Sequence, residues 1–73
     1  MRCIATFDVT SMALMFEKAC RAEGLSVRVI PVPRQISASC GLACSWPCDK
    51  ESDVKDVCSR YQIDVAGWHE LED

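Results

Sequence analysis

The sequence predicts an α+β fold of the ferredoxin-like type, with the order β-α-β-β-α-β and two helices packed on one face of a four-stranded antiparallel sheet. Two observations predict it. Short stretches rich in β-branched residues alternate with two stretches whose apolar residues recur every three to four positions. At 73 residues, the chain is long enough for one domain spanning residues 1–73. The name ferredoxin-like describes topology here and implies no iron–sulfur cluster.

The first half of the chain predicts a strand, a helix and a second strand, over residues 3–7, 11–23 and 25–30. Gly24 follows the helix where a left-handed C-terminal cap is expected. In the second strand, Val27 and Val29 share one face. Pro31 and Pro33 end that strand, because proline has no amide hydrogen to donate to a neighbouring strand.

The second half predicts a strand, a helix and a last strand, over residues 41–46, 50–62 and 67–71. Leu42, Cys44 and Trp46 share one face of the third strand by its two-residue period. Cys20 and Cys58 lie on or beside the apolar stripes of the two helices, so both are predicted to pack in the core. The alternative order β-α-β-α-β-β requires a helix before Trp46, where glycine and serine residues disfavour one.

Composition and charge exclude several classes of function. A net charge of −3 and a pI near 5.0 argue against a nucleic-acid partner, since such partners select a clustered positive surface. No apolar run approaches the roughly 18–20 residues that span a bilayer, so no membrane partner is expected. The N-terminus lacks the pattern of a signal peptide, which predicts a cytoplasmic location.

A reducing compartment favours thiols, metal ligation or catalytic sulfur over a disulfide framework for the six cysteines. Cys40, Cys44 and Cys48 fall within residues 30–48, which also contain all three prolines. A metal site is one interpretation, but the spacing C-x3-C-x3-C is not the paired C-x2-C of structural zinc, and His69 is the only histidine. The prediction is therefore no bound metal.

Two other interpretations involve Cys40 more directly. A redox pair of Cys40 with Cys44 needs a tight turn between them. In an extended segment their Cα atoms would lie about 13 Å apart, whereas a disulfide requires a Cα–Cα distance of about 7 Å or less. A single nucleophilic thiol at Cys40 instead needs a nearby cation or backbone amides to favour the thiolate. Arg34 could supply the cation and the backbone around Gly41 the amides. A purely structural role for the prolines, Gly41 and a buried cysteine also stays open.

The same stretch resembles the selenium/sulfur (Se/S) carrier protein-like family. The resemblance covers nearly the whole chain and rests on Pro31-Val32-Pro33-Arg34, Ile36, Ser37 and Ser39-Cys40-Gly41-Leu42-Ala43, with Ala13, Glu17 and Gly24. It implies that Cys40 carries sulfur or selenium as a persulfide or selenosulfide. Cys44 and Cys48 are additions to the family pattern and are candidate secondary thiols.

The resemblance further implies a donor such as a cysteine desulfurase or selenocysteine lyase, an unidentified acceptor enzyme, and no cofactor. No constellation of acid and base residues accompanies His69, so the residues favour a carrier or accessory protein over an independent enzyme. The open face of the predicted sheet suggests a homodimer. The alternative function is a small ferredoxin-like binding or regulatory module whose cysteines bind metal or are structural.

Overall fold

The computed structural model describes residues 2–36 and 41–71 and confirms the predicted ferredoxin-like arrangement. The four strands form one sheet in the order β2-β3-β1-β4, and every neighbouring pair is antiparallel. Neither helix in the described part of the chain is long and apolar enough to cross a membrane. The elements are β1 (Arg2–Thr6), α1 (Thr10–Ala22), β2 (Arg28–Pro31), β3 (Leu42–Pro47), a 3₁₀ turn (Cys48–Lys50), α2 (Glu51–Tyr61) and β4 (Gly67–Leu71).

The second strand begins later than its β-branched pattern predicts, at Arg28 rather than at residue 25. The preceding residues end α1 instead. Gly24 adopts φ +80°, and the amide of Leu25 donates to the carbonyl of Cys20 at 2.9 Å. This is the hydrogen bond of a Schellman cap, so the chain at Leu25 closes the helix before it can join the sheet.

The main core lies between the sheet and the two helices. Phe7, Phe16 and Trp46 are each 0 % exposed, and Phe16 contacts the other two rings at centroid distances of 5.3 and 5.5 Å. Cys20 and Cys58 belong to the same buried cluster, which confirms the core position predicted for both. These aromatic contacts join β1, α1 and β3 into one packed layer.

A second, smaller apolar cluster lies on the opposite face of the sheet. Its buried members are Ile4, Ile36 and Ala43. Ile36 comes from the connection that follows β2, where its amide donates to the carbonyl of Pro33 at 2.9 Å. The sequence predicts an open face here, but this connection folds back over part of it, and the burial of Ile36 against Ile4 and Ala43 stabilises that arrangement.

Cys3 and Cys48 form a disulfide, with their Cα atoms 5.1 Å apart. Cys3 lies opposite Trp46 in the β1–β3 ladder, and Cys48 follows two residues later in the 3₁₀ turn. We expected reduced cysteines and a secondary thiol at Cys48, and the structure corrects this expectation for the pair. The pairing depends on the register of two strands that are distant in sequence, which no local pattern specifies.

Reduction of this disulfide is expected to lower the free energy of unfolding substantially. The bond closes a loop between residues 45 apart in sequence. Loop closure of this length restricts the unfolded chain enough to contribute about 2–4 kcal/mol. Urea unfolding with and without a reductant measures the difference, and Cys48→Ser should show the lower stability under both conditions. An unchanged unfolding midpoint after reduction would mean that the bond does not form in solution.

Candidate functional site

The candidate site lies in the connection between β2 and β3. Cys40, the predicted carrier residue, falls outside the described residues, as do positions 37–39. The structure does describe Arg34 and Gly41, the two residues predicted to assist Cys40. Arg34 lies in an exposed turn two residues after Val32, and Gly41 directly precedes β3. The amide of Val32 donates to the carbonyl of Gly41 at 3.2 Å, so Arg34 and Gly41 both lie at one end of the β2–β3 pair.

Gly41 is required by the backbone conformation and not by crowding. Its φ is +75°, in the left-handed region that side-chain-bearing residues rarely adopt. A Cβ built at this position would meet no other atom within 4 Å among the described residues. The glycine therefore permits the turn that brings the chain from the connection into β3.

Arg34 is exposed and forms no ion pair with any other residue that the structure describes. By contrast, the exposed guanidinium of Arg60 contacts Glu23 at 2.6 Å and Asp56 at 2.9 Å. The difference matters because a guanidinium already paired to carboxylates has less positive potential to offer a thiolate.

Cys44 points away from this connection and into the main core. It is 0 % exposed, lies opposite Ala5 in the β1–β3 ladder, and its Sγ donates to the carbonyl of Ala13 in α1 at 3.5 Å. A thiol that resolves a persulfide must be reachable by the sulfur it attacks. The buried position of Cys44 therefore favours a packing role over that of a secondary thiol.

Cys48 lies at the opposite end of β3 from Gly41. The strand spans Leu42–Pro47, and five steps of roughly 3.3 Å separate its first and last residues by about 17 Å. Cys48 is bonded to Cys3, whereas Cys44 lies beneath α1. The two described members of the C-x3-C-x3-C pattern thus belong to different environments and do not converge on one site.

The thiols of Cys20 and Cys58 lie in the interface between the two helices and are poor nucleophiles. Burial, with smaller contributions from Cys58 and Glu23, raises the pKa of Cys20 to about 12. Burial raises the pKa of Cys58 to about 11. Since the thiolate is the reactive form, neither thiol is suited to accept sulfur near neutral pH.

Ile36 is a positioning residue to which the sequence alone assigns no structural role. It is 8 % exposed and packs against Ile4 and Ala43 on the outer face of the sheet. An isolated large apolar residue within a polar connection was the available indication, because such a side chain stabilises a loop only when it is buried. Ile36 anchors the connection four residues before Cys40 in sequence.

Comparisons with known proteins gave one family. A family model described as "Putative Se/S carrier protein-like" matches residues 2–70 of the 73-residue chain. No curated protein and no solved structure matches the chain. Apart from Leu71, the last residue of β4, the matched range contains every described helix and strand as well as the connection between β2 and β3.

The helix-interface thiols are expected to resist alkylation in the folded protein. The pKa is about 12 for Cys20 and about 11 for Cys58, whereas the ordinary value for cysteine is near 9. At pH 8, the fraction present as thiolate should therefore be about 1000-fold lower for Cys20, and about 100-fold lower for Cys58, than for an ordinary cysteine. Because the shifts are upward, reactivity should rise only as the pH approaches these values. Peptide mass spectrometry after iodoacetamide treatment measures each rate, with the urea-unfolded protein as control. Rapid native labelling at pH 8 would contradict the burial of these thiols.

Gly41→Ala and Gly24→Ala form a matched pair, because both glycines have positive φ and open space at the Cβ position. Each substitution should lower the free energy of unfolding by about 1–2 kcal/mol, the cost of the left-handed conformation for alanine. Urea unfolding of the two variants tests this. A change of only a few tenths of a kcal/mol in Gly41→Ala would show that the backbone there relaxes without cost.

Proposed function

This chain belongs to the Se/S carrier protein-like family, and we propose that it accepts a sulfur or selenium atom on Cys40 and delivers it to an acceptor enzyme. The family match supports the sulfur or selenium cargo. Assignment to Cys40 rests on the residues around it, Arg34 and Gly41, and on the environments of the other five cysteines.

The observation that supports Cys40 most strongly is the state of those five cysteines. Cys3 and Cys48 are joined in a disulfide, and the buried set comprises Cys3, Cys20, Cys44 and Cys58. A carrier thiol must meet the active sites of two other proteins as a thiolate. None of the described cysteines meets this requirement in the folded, oxidised chain, which leaves Cys40 as the candidate.

The proposed chemistry is sulfur exchange at constant oxidation level. The Cys40 thiolate attacks the terminal sulfur of a donor persulfide, a new S–S bond forms, the donor S–S bond breaks, and the donor cysteine leaves as a thiolate. Cys40 then holds the persulfide until an acceptor nucleophile takes the terminal sulfur and restores the Cys40 thiolate. The selenium version follows the same bond changes with a terminal selenium atom.

Arg34 and Gly41 would assist this exchange in different ways. A guanidinium near Cys40 lowers the pKa of a thiol by stabilising the thiolate. Gly41 adopts a positive φ that permits the turn into β3 directly after Cys40. Both roles concern the position and ionisation of one thiol, and neither requires a cofactor.

The donor would be a persulfide-forming enzyme such as a cysteine desulfurase, or a selenocysteine lyase for selenium. The exchange requires a reduced thiol at Cys40, which is compatible with a cytoplasmic location. A homodimer through the sheet stays a prediction, although Ile36 already covers part of the face that would form the interface.

Incubation with a cysteine desulfurase and cysteine should add one sulfur atom to the wild-type protein, located on Cys40 by peptide mass spectrometry. Cys40→Ser should lose the adduct, because serine cannot form a persulfide. Cys58→Ala is the matched control: it removes a cysteine from the helix interface and should retain the adduct. An equal adduct in Cys40→Ser, or none in the wild type, would refute the carrier assignment.

The same assay tests Arg34 through its pH dependence. If the guanidinium stabilises the Cys40 thiolate, Arg34→Ala should slow adduct formation near neutral pH by up to about tenfold, equivalent to about one pKa unit. The rate should recover at higher pH, and Arg34→Lys should restore part of it. A uniform loss at all pH values would instead indicate a role in docking the donor.

A further inference from the structure

A second group of sulfur and oxygen ligands lies at the end of the sheet remote from Gly41. The Sγ of Cys3 and one carboxylate oxygen from each of Glu51 and Glu70 all lie within 4.8 Å of one another. Cys48 is bonded directly to the sulfur of Cys3. The ligand atoms of Cys3 and the two glutamates therefore lie close together, and Cys48 is joined to this group through its bond to Cys3.

The fold accounts for this convergence. Cys3 lies on β1 directly opposite Glu70 on β4, so both side chains leave the sheet on the face that the helices cover. Cys48 begins the 3₁₀ turn that follows β3. Glu51 lies three residues later at the start of α2, and residues three apart share one side of a helical turn.

The cluster is open to ions from solvent. It borders a cleft of about 380 Å³ whose lining includes Cys3, Glu51, Glu70 and Trp46. The indole N–H of Trp46 is buried and donates to no acceptor among the described residues. His69 also borders the cleft, but its register position opposite Ile4 places it on the other face of the sheet.

The charge of the cluster is only partly compensated. Lys55 contacts Glu51 at 3.4 Å, with both side chains largely exposed, and its ammonium group lies 5.2 Å from the ring centre of Trp68. Exposed ion pairs of this kind contribute little to stability, so the Lys55 contact can be exchanged for a stronger ligand at small cost. Glu70 is exposed and forms no ion pair with any residue in ranges 2–36 and 41–71.

We propose that reduction of the Cys3–Cys48 disulfide converts this cluster into a binding site for a zinc-type divalent cation, with Cys3, Cys48, Glu51 and Glu70 as its four ligands. A thiol reductant supplies two electrons: its two thiols become a disulfide, and Cys3 and Cys48 become thiols. Binding of the cation then displaces one proton from each cysteine. The oxidised pair lacks the two thiolates and does not bind the ion.

The ligand set selects the class of metal. Two thiolates and two carboxylates provide the four ligands of a tetrahedral zinc site, whereas magnesium and calcium prefer oxygen alone. Zn–S and Zn–O distances of about 2.3 and 2.1 Å place ligand atoms on one ion about 3.5 Å apart. The present separations of up to 4.8 Å among the ligand atoms of Cys3, Glu51 and Glu70 thus require these side chains to close by roughly 1 Å. The Sγ of Cys48 lies outside this group and must turn toward the ion once the disulfide is reduced.

This site is separate from the C-x3-C-x3-C pattern. Of that pattern only Cys48 contributes, while Cys44 lies in the core beneath α1. The inference also stands apart from the proposed carrier function, since β3 separates the two ends of the sheet and Cys40 is not a ligand.

Cobalt(II) titration of the full-length protein under anaerobic conditions tests the site. The protein is reduced with a phosphine, which is then removed, and Co²⁺ is added as a spectroscopic probe. The reduced protein should bind one equivalent, with the near-ultraviolet sulfur-to-cobalt charge-transfer band and the visible bands of tetrahedral cobalt. Zn²⁺ should displace the cobalt, and the oxidised protein should show no charge-transfer band.

Five variants distinguish this site from general thiol binding. Cys48→Ser should lose about half of the charge-transfer intensity, and Glu51→Gln and Glu70→Gln should keep the band but bind at least about tenfold more weakly. Asp53→Asn is the matched control, because it removes an exposed carboxylate from the first turn of α2 and should bind as the wild type does. Cys40→Ser should also bind normally, which separates this test from that of the carrier thiol.

Three results would overturn the proposal: no charge-transfer band in the reduced wild type, equal binding by Cys48→Ser, or unchanged affinity in both glutamate variants. Circular dichroism of each variant under the reducing conditions of the titration establishes beforehand whether it is folded. If the reduced protein unfolds and binds cobalt through disordered thiols, the glutamate variants will match the wild type, and that result also refutes the site.

Discussion

The antiparallel pairing of β1 with β3 fixes the surroundings of most cysteines in this chain. The register sets Cys3 opposite Trp46 and Ala5 opposite Cys44. It thereby brings Cys48 within bonding distance of Cys3 and directs Cys44 beneath α1. A shift by one residue would move Cys44 and Trp46 to the outer face and remove the contact between Trp46 and Phe16 of α1.

The same register places the described cysteines in separate environments. At one end of the sheet, Val32 and Gly41 close the β2–β3 pair just before the connection that contains Cys40. At the other end, Cys3 and Cys48 meet two glutamates. Between the helices, burial raises the pKa of Cys20 and Cys58. Thiols that lie close together in so small a protein exchange readily with one another, and the separation of the described cysteines limits such exchange.

Local patterns predicted the elements and most of the core, and they failed where structure depends on contacts between distant segments. Cys20, Cys58 and Trp46 lie on the predicted faces, because helical and strand periodicity record burial directly. The Cys3–Cys48 bond and the approach of Glu51 and Glu70 depend on strand register and on the turn after β3, which periodicity does not encode. For the carrier site, the sequence identified Arg34 and Gly41 as neighbours of Cys40 by motif, while the anchoring of Ile36 on the outer face required the three-dimensional fold.

Links between distant segments matter for the stability of this fold. A 73-residue domain has a small core and a correspondingly small margin of stability, so one covalent or metal link between distant segments changes that margin substantially. In the oxidised chain the disulfide joins β1 to the turn before α2. In the reduced chain, a cation held by the same cysteines would join those segments and add β4 through Glu70, because an ion that binds only the folded state stabilises it. The fold could then be linked at this end under both redox conditions, and neither link involves the connection that contains Cys40.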